Sequence, residues 1–387
     1  MQKPLLSIFL PALLIGGAEK VLIELANNLS AKEWRIHVVV MSGAGPMAGN
    51  LNAAVELVDL SCDSYKQAIV ALARYYKTRR PSVILTSMYA TGLAAIAASF
   101  IARHKPKIIV GAHNSLQAKV SRADNLKDKW LLMPLCRILF PFADGFVAVS
   151  KGVAQELEAL LGIPRKRIRA IYNPVINEDL PKLAAEPLFH PWFMDIETRQ
   201  HKTLVSVGRL VEQKGYDILL QTLLLVRDKL DVRLVIIGGG PLFSELENTA
   251  QKLGISDAVD FVGMQKNPFK FVARADLFVL SSRWEGLANV LIEALGCGCP
   301  VVSTNCRYGP EEILEGERYG ALAAVDDPID LAAKIISSLQ SSPSQAGEKA
   351  ARVRRALDFT VEVAAKQYAD YFSEILTSSS VYKHESV

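Results

Sequence analysis

The stretch RWEGLANVLIEALGCGCPVV, Arg283–Val302, is apolar or small almost throughout after its first three residues. Two carboxylates interrupt it, Glu285 and Glu293, with seven residues between them. An apolar run, Leu277–Leu280, precedes the stretch, and Val301–Ser303 opens a second run at its end. From about Asn289 the spacing between these runs is helical. Strand, loop, helix and strand in this order make the repeating unit of a parallel sheet. Charged side chains are rarely buried without a partner, so the two glutamates require an explanation. Glu293 falls about one turn inside the helix at roughly 1.5 Å per residue, and Glu285 lies in the loop before it, so both can face one ligand. The helix dipole also favours an acid near a helix start, an account that serves Glu285 better than Glu293.

The same alternation extends in both directions. In the first half, the strand candidates are Leu5–Leu10, Ile36–Met41, Val83–Thr86, Lys107–Gly111 and Gly145–Val149, separated by helical patterns such as Ser64–Thr78. In the second they are Thr203–Val207, Arg233–Ile237, Val259–Val262, Leu277–Leu280 and Val301–Ser303. Between the sets, Ile171–Lys202 has no clear periodicity and carries Pro174, Pro181, Pro187 and Pro191, the composition of a linker. The pattern predicts an α/β protein of two doubly wound parallel-sheet domains with a cleft between them, residues 1–177 and 178–361. An amphipathic segment at Val361–Leu376 predicts a last helix within 362–387, with the first domain as its candidate partner.

At 387 residues and 50 % hydrophobic, the chain can bury two cores. Its net charge of +4 hides an asymmetry. Residues 1–178 carry 22 Lys and Arg against 12 Asp and Glu, whereas the remainder carries 22 against 28, so the halves differ as +10 and −6. No basic tract interleaved with aromatics spans a domain, which argues against a nucleic-acid partner. Of five cysteines only Cys297 and Cys299 are close in sequence, and no nearby histidine completes a zinc site, so buried packing thiols and no metal are expected. The start, MQKPLLSIFLPALLIGGAEKVLIELANNL, has the outline of a signal peptide. It reads better as strand, glycine turn and helix, because Val21, Leu22, Leu25, Ala26 and Leu29 follow Gly16-Gly17 at helical spacing. No apolar run reaches the roughly 20 residues of a bilayer span, and TGLAAIAASFIAR (91–103) reads as a buried helix.

Ligands of open α/β sheets bind beyond the carboxyl ends of the strands. Four such places carry candidate chemistry. Gly16 and Gly17 open a helix where backbone N–H groups can meet an anion, or form only a tight turn. His113 stands just past a strand, either as a structural residue or facing a ligand. Arg209 and Lys214, five apart after Gly208, can clamp a diphosphate or form a solvated basic loop; Gly238–Gly240 turns at the next strand end. The fourth is the Glu285/Glu293 stretch.

Taken in order, GGAEK (16–20), AHN (112–114), IYNPV (171–175), VGRLVEQKG (207–215), IIGGGP (236–241), FVGMQ (261–265), EGLANVLIEALGCGCPVVST (285–304) and YGPEEIL (308–314) resemble the retaining glycosyltransferases of family 4. That resemblance implies the GT-B fold, two Rossmann-like domains facing across a cleft, and transfer of sugar from a nucleotide diphosphate with retention and without a metal or other cofactor. It implies that Arg209 and Lys214 bind the donor diphosphate and that Glu285 contacts the donor sugar. The backbone around Gly286, Leu287, Ala288 and Asn289 would line sugar and phosphates, with Glu293 on the ribose. Gly16 and Gly17 would approach the phosphates, as would the turn of Gly238 and Gly240. His113 would lie beside the sugar and Met264 near the base. GLAN after Glu285 departs from the commoner Phe-Pro or Phe-Gly, which implies a differently shaped sugar pocket.

The block ANVLIEAL with TNCRYGPEEIL is similar to transferases that build bacterial surface polysaccharides and lipopolysaccharide, which implies a UDP-hexose or UDP-N-acetylhexosamine donor and a glycan or polyprenyl, lipid-linked acceptor. The segment 119–145 mixes basic and apolar residues. It reads either as a core-facing helix with a solvated basic face or as a helix on an anionic membrane. In the second reading Lys127, Lys129 and Trp130 mark the acceptor or membrane surface of a cytoplasmic, peripheral protein on the inner face of the membrane. The rival activities are a GT-B-like epimerase or sugar phosphorylase, and a catalytically silent nucleotide-sugar-binding module.

Overall fold

The computed structural model describes residues 3–14, 16–30, 33–43, 45–121, 126–194, 200–341 and 346–378, with the backbone alone described at 119–121, 126–130 and 346. The chain divides into two units, Met1–Pro174 with Val361–Val387, and Val175–Thr360.

The strands of unit 1 are β1 (Leu5–Leu10), β2 (Arg35–Val40), β3 (Val55–Asp59), β4 (Val83–Thr86), β5 (Lys107–Ala112), β6 (Gly145–Ala148) and β7 (Ile168–Ala170). Those of unit 2 are β8 (Lys202–Val207), β9 (Val232–Ile237), β10 (Val259–Phe261), β11 (Leu277–Leu280), β12 (Val301–Thr304) and β13 (Ala321–Ala323). The sheets run β3-β2-β1-β4-β5-β6-β7 and β10-β9-β8-β11-β12-β13, with every pairing parallel. Helices cover both faces of such sheets, so interior strands are apolar on both sides. All six residues of β1 and all four of β4, β11 and β12 are buried. The amino-terminal apolar run is therefore an interior strand, followed by the helix Gly17–Ser30.

In each sheet the order reverses once, between β1 and β4 in unit 1 and between β8 and β11 in unit 2. At such a point the loops leaving two neighbouring strands run to opposite faces and open a crevice beyond the strands' carboxyl ends. This topology places the candidate site.

Three strands were not legible in the sequence, and β3, β7 and β13 are all sheet edges. Edge strands are often short or carry charged residues. β3 exposes Glu56 and Asp59, while β7 and β13 have three residues each. The expected linker is also different in kind. Its residues 176–193 pack on unit 2: Ile176, Leu180, His190 and Phe193 are buried, and Leu180–Ala185 is a helix. Asn267 Nδ2 donates to the Leu183 carbonyl at 2.8 Å, and Arg274 donates to that of Ala184 at 3.0 Å. Proline content signals irregular backbone, and irregular backbone can still be buried.

The last helix, Val361–Thr377, belongs to unit 1. Ala364, Ala365, Tyr368, Tyr371, Phe372 and Ile375 join the core of β1, β2 and the helix Gly17–Ser30. Trp34 meets Phe372 edge to face at 5.6 Å between ring centroids. The Tyr371 hydroxyl accepts from the Phe146 N–H at 3.2 Å and donates to the Arg167 carbonyl at 3.1 Å. Burial pushes the pKa of that phenol up to about 12. Because Phe372 is fully buried, Phe372→Ala is expected to cost about 3–5 kcal/mol, read as a lower urea midpoint. An unchanged midpoint would show that this helix is not part of the unit 1 core.

Candidate functional site

The carboxyl ends of β10, β9, β8 and β11 form one stitched rim in unit 2. The Gly238 N–H donates to the Gly263 carbonyl at 2.9 Å, and the Leu210 N–H to that of Gly239 at 3.0 Å. Gly238, at φ +150°, lies so close to the Gly208 carbonyl that no side chain fits there. Gly240 lies against the Leu210 carbonyl, and Met264, 77 % exposed, stands over Gly239. On the other side, Ser281 Oγ donates to the Lys214 carbonyl at 2.8 Å and the Arg283 N–H to that of Gln213 at 2.8 Å. Gly215, at φ +59°, presses on the Ser281 carbonyl and lets the helix Tyr216–Arg227 begin directly after Lys214.

At the centre of this rim, where the strand order reverses, Lys214 Nζ meets Glu285 Oε1 at 2.7 Å. Ser282 Oγ donates to the same oxygen at 2.8 Å, and Gln213 Nε2 to Oε2 at 3.3 Å. The carboxylate is 7 % exposed as a residue, so these donors replace the water it has lost. Tyr216 is buried beside Lys214, both side chains lying against Gly208. Burial, with a smaller push from Glu285, raises its phenol pKa. Arg283 locks the two loops together, with NH1 and NH2 on Asp217 at 2.9 and 2.6 Å, Nε on Asp326 at 2.6 Å and NH1 on the Glu212 carbonyl at 3.0 Å. It is a positioning residue, because it holds the backbone on either side of Lys214 and Glu285. Arg209 contrasts with all of these. It is exposed, and its guanidinium has no partner among the described residues.

The helix starts at Asn289 and ends at Gly296. Ala288 before it adopts a left-handed conformation at φ +64°, a costly state for a residue with a side chain. Gly286, Leu287 and Ala288 are buried, and a helix start leaves its first N–H groups outside the helical ladder. Leu291, Ile292, Ala294 and Leu295 face the core, whereas Glu293 shares a partly open face with Asn289 one turn before it. The carboxylate is thus not buried among its apolar neighbours. All five cysteines are buried and free. Burial, then the charge of Glu293, pushes Cys297 up to about 12, a packing thiol rather than a nucleophile.

In unit 1, His113 follows β5 directly. Its ring folds back over Gly111, and its Nδ1 is buried with no partner among the described residues. The turn after it is fixed by buried Glu156, which accepts from Ser115 Oγ at 2.6 Å and the Leu116 N–H at 2.7 Å. Burial lowers the His113 pKa to about 4, so the imidazole is neutral near pH 7. Thr86 and Ser87, at the end of β4 and next to the reversal in strand order, also hold buried hydroxyl oxygens without partners. Gly16 and Gly17 open their helix after β1, but the Glu19 carboxylate folds back across Gly16, an acid on the positive end of the helix. The side chains of Lys127, Lys129 and Trp130 lie outside the described residues.

Lys214, Glu285, Arg209, Gly238, Gly240, Met264 and the 286–289 turn thus share one rim, while His113, Gly16 and Gly17 belong to the other unit. Gln213, Ser282, Arg283 and Tyr216 were missed by sequence reasoning, though each lies within three residues of one it singled out. Thr86 and Ser87 gave no signal beyond their place at a strand end.

Two doubly wound units of this kind define the GT-B class of glycosyltransferases. The chain belongs to the group 1, family 4 glycosyltransferases: the model of "Glycosyltransferase Family 4" matches residues 15–178 and that of "Glycosyl transferases group 1" residues 195–356. It is 29 % identical over 347 residues, 84 % of this chain and 87 % of the relative, to the N-acetylgalactosamine-N,N'-diacetylbacillosaminyl-diphospho-undecaprenol 4-alpha-N-acetylgalactosaminyltransferase of Campylobacter jejuni. A second enzyme of that organism, which adds alpha-1,4-N-acetyl-D-galactosamine to GalNAc-alpha-(1->4)-GalNAc-alpha-(1->3)-diNAcBac-PP-undecaprenol, is 27 % identical over 343 residues, 85 % of this chain and 87 % of that one. The fold is shared with HepE of Anabaena in complex with UDP and glucose, at a TM-score of 0.76, 20 % identity, and coverage of 96 % of this chain and 100 % of that one.

The His113 shift has a measurable consequence. Between about pH 6.5 and pH 4 the unfolded chain binds a proton there that the folded chain does not, so this residue makes stability fall as pH falls through that window. His113→Gln should flatten the dependence of melting temperature on pH between 6.5 and 4 relative to the unsubstituted chain. Parallel curves would show that His113 is not buried as a neutral ring.

Proposed function

We propose that this glycosyltransferase moves an N-acetylhexosaminyl or hexosyl unit from a UDP-linked donor to a polyprenyl-diphosphate-linked glycan, with retention and without a metal. The observation that carries the reading is the presence on the rim of unit 2 of one engaged cation, Lys214, and one with no partner among the described residues, Arg209. A donor diphosphate there gains a bidentate partner from Arg209 and a point charge from Lys214. Charge that develops on the departing diphosphate is then met by fixed positive groups, the role a metal ion plays elsewhere.

Glu285 already accepts hydrogen bonds on both oxygens, one of them from the Lys214 ammonium. Such a carboxylate suits orienting sugar hydroxyls better than attacking an anomeric carbon. Retention by two displacements needs a free carboxylate close beneath that carbon. We therefore assign same-face attack through an oxocarbenium-like state, in which an oxygen of the leaving phosphate takes the acceptor's proton. Glu293, on the open side of its helix, is assigned to the ribose hydroxyls, the 286–289 turn to the sugar and phosphates, and Met264 to the base.

The support for the sugar and acceptor is the pair of Campylobacter jejuni relatives, whose names give an alpha-linked N-acetylgalactosamine product and an undecaprenol carrier. An alpha product from an alpha-linked UDP donor is retention. Such an acceptor sits at a membrane, and among the described residues no helix is long and apolar enough to cross one. The reading therefore places the protein peripherally on the inner membrane face and assigns it to surface-polysaccharide synthesis.

The test is label transfer from UDP-, GDP- and ADP-sugars by the purified chain with a membrane lipid extract. Label from a UDP-N-acetylhexosamine or UDP-hexose should enter the lipid fraction. Epimerised free nucleotide sugar, or sugar phosphate released only with added phosphate, would overturn the reading in favour of the rival activities. Glu285→Gln should lower turnover by at least about 100-fold with UDP affinity changed only a few-fold. Lys214→Ala should weaken UDP binding as well. Unreduced turnover in either variant would sink its assignment.

A further inference from the structure

The helix Leu126–Leu139 turns an apolar stripe to solvent. Leu132 and Cys136 point into unit 1, whereas Leu131, Leu135 and Ile138, at spacings of four and three, are 54 %, 42 % and 63 % exposed. Residues so spaced lie along one helix face, and on a surface helix that outer face is ordinarily polar. The stripe continues into its neighbours. Phe142, 60 % exposed, stacks edge to face on Phe100, 52 % exposed, with 5.2 Å between ring centroids. Ile101 beside it is 63 % exposed. The helix Tyr89–Ile101, the helix Leu126–Leu139 and the turn Phe140–Phe142 pack on one another, so these side chains share one region of surface. Scattered single apolar residues need no explanation, but a contiguous patch marks a docking surface.

Charge selects the occupant. From Ser87 to Ala143 the sequence holds eight Lys and Arg against two Asp. Arg103, Lys105 and Arg137 are exposed there, and Arg167 donates to the Pro141 carbonyl next to Phe142. A second copy of the chain would bring like charges together across a two-fold contact. An anionic bilayer meets both features, with acyl chains for the apolar stripe and phosphates for the basic rim.

We propose that Phe100, Leu131, Leu135, Ile138 and Phe142 seat unit 1 in the interfacial layer of an anionic membrane, with the surrounding Lys and Arg facing lipid phosphates. This rests on the reading of a lipid-linked acceptor above and assigns the surface that reaches it. The neutral stripe, rather than basic residues alone, carries the attachment, so binding persists in salt that screens surface charge.

Flotation of the full chain on vesicles tests this without requiring turnover. The chain should float with phosphatidylethanolamine vesicles containing about 30 % phosphatidylglycerol, and much less with phosphatidylcholine alone. A measurable fraction should remain bound at about 1 M NaCl, where the screening length is about 3 Å. Leu135→Glu with Ile138→Glu should lower the partition coefficient at least about tenfold, with melting temperature and thermal protection by UDP unchanged. Phe142→Ser, a milder change, should lower it in the same direction should the double variant fail to fold. Three results overturn the proposal: variants that float like the unsubstituted chain, binding abolished by salt, or a concentration-dependent dimer that the double variant dissolves. Flotation without label transfer from any donor would instead remove the transferase reading and leave the surface standing.

Discussion

Lys214 and Glu285, 2.7 Å apart, join two loops that the sheet itself drives apart. β8 and β11 are neighbours, yet the strand order reverses between them, so the segments that follow leave toward opposite faces. The resulting crevice admits a ligand only if its walls are held in register. A largely buried ion pair costs desolvation that its own attraction barely offsets, unless further hydrogen bonds complete it. Ser282 and Gln213 supply them, and Arg283 fixes the backbone from behind through Asp217 and Asp326. Removing one member of such a pair costs about 3–5 kcal/mol, because a buried charge is left alone. Lys214 and Glu285 therefore hold the two loops together at the candidate site.

Unit 1 repeats the topology with different contents. Its reversal lies between β1 and β4, and the atoms there are polar and unmatched rather than paired. Thr86 and Ser87 keep buried hydroxyl oxygens without partners among the described residues, and neutral His113 keeps Nδ1 so at the end of the next strand. Unit 2 offers fixed charge and unit 1 offers neutral hydrogen-bonding groups.

The parts of this arrangement that could be read in advance share a physical cause. Interior strands such as Leu5–Leu10 and Leu277–Leu280 are buried on both faces and appear as unbroken apolar runs. The edges β3 and β7 are interrupted by charged residues, and β13 is only three residues long, whereas the fourth edge, β10, was legible. The spacing of Glu285 and Glu293 placed both correctly about a helix start, and the structure shows that Glu293 is half-buried on a partly open face rather than in the core. Arg283 could not be read, since its partners are 66 and 43 residues away, Asp217 and Asp326. Thr86 and Ser87 were invisible because what distinguishes them is buried hydroxyls without a partner among the described residues. The segment 119–145 was legible as amphipathic and basic, but not that the solvent face beyond residue 130 is apolar.

Arg209 isolates the central claim, that the rim of unit 2 binds a nucleotide diphosphate through fixed cations. It is exposed and has no partner among the described residues, so its removal should leave the fold intact. Calorimetric titration of UDP into the full chain and into Arg209→Ala is the direct measurement. An affinity at least about tenfold weaker is expected in the variant, as the loss of a charged hydrogen-bonding partner implies, with an unchanged melting temperature. Equal affinity for UDP in the two proteins would contradict it.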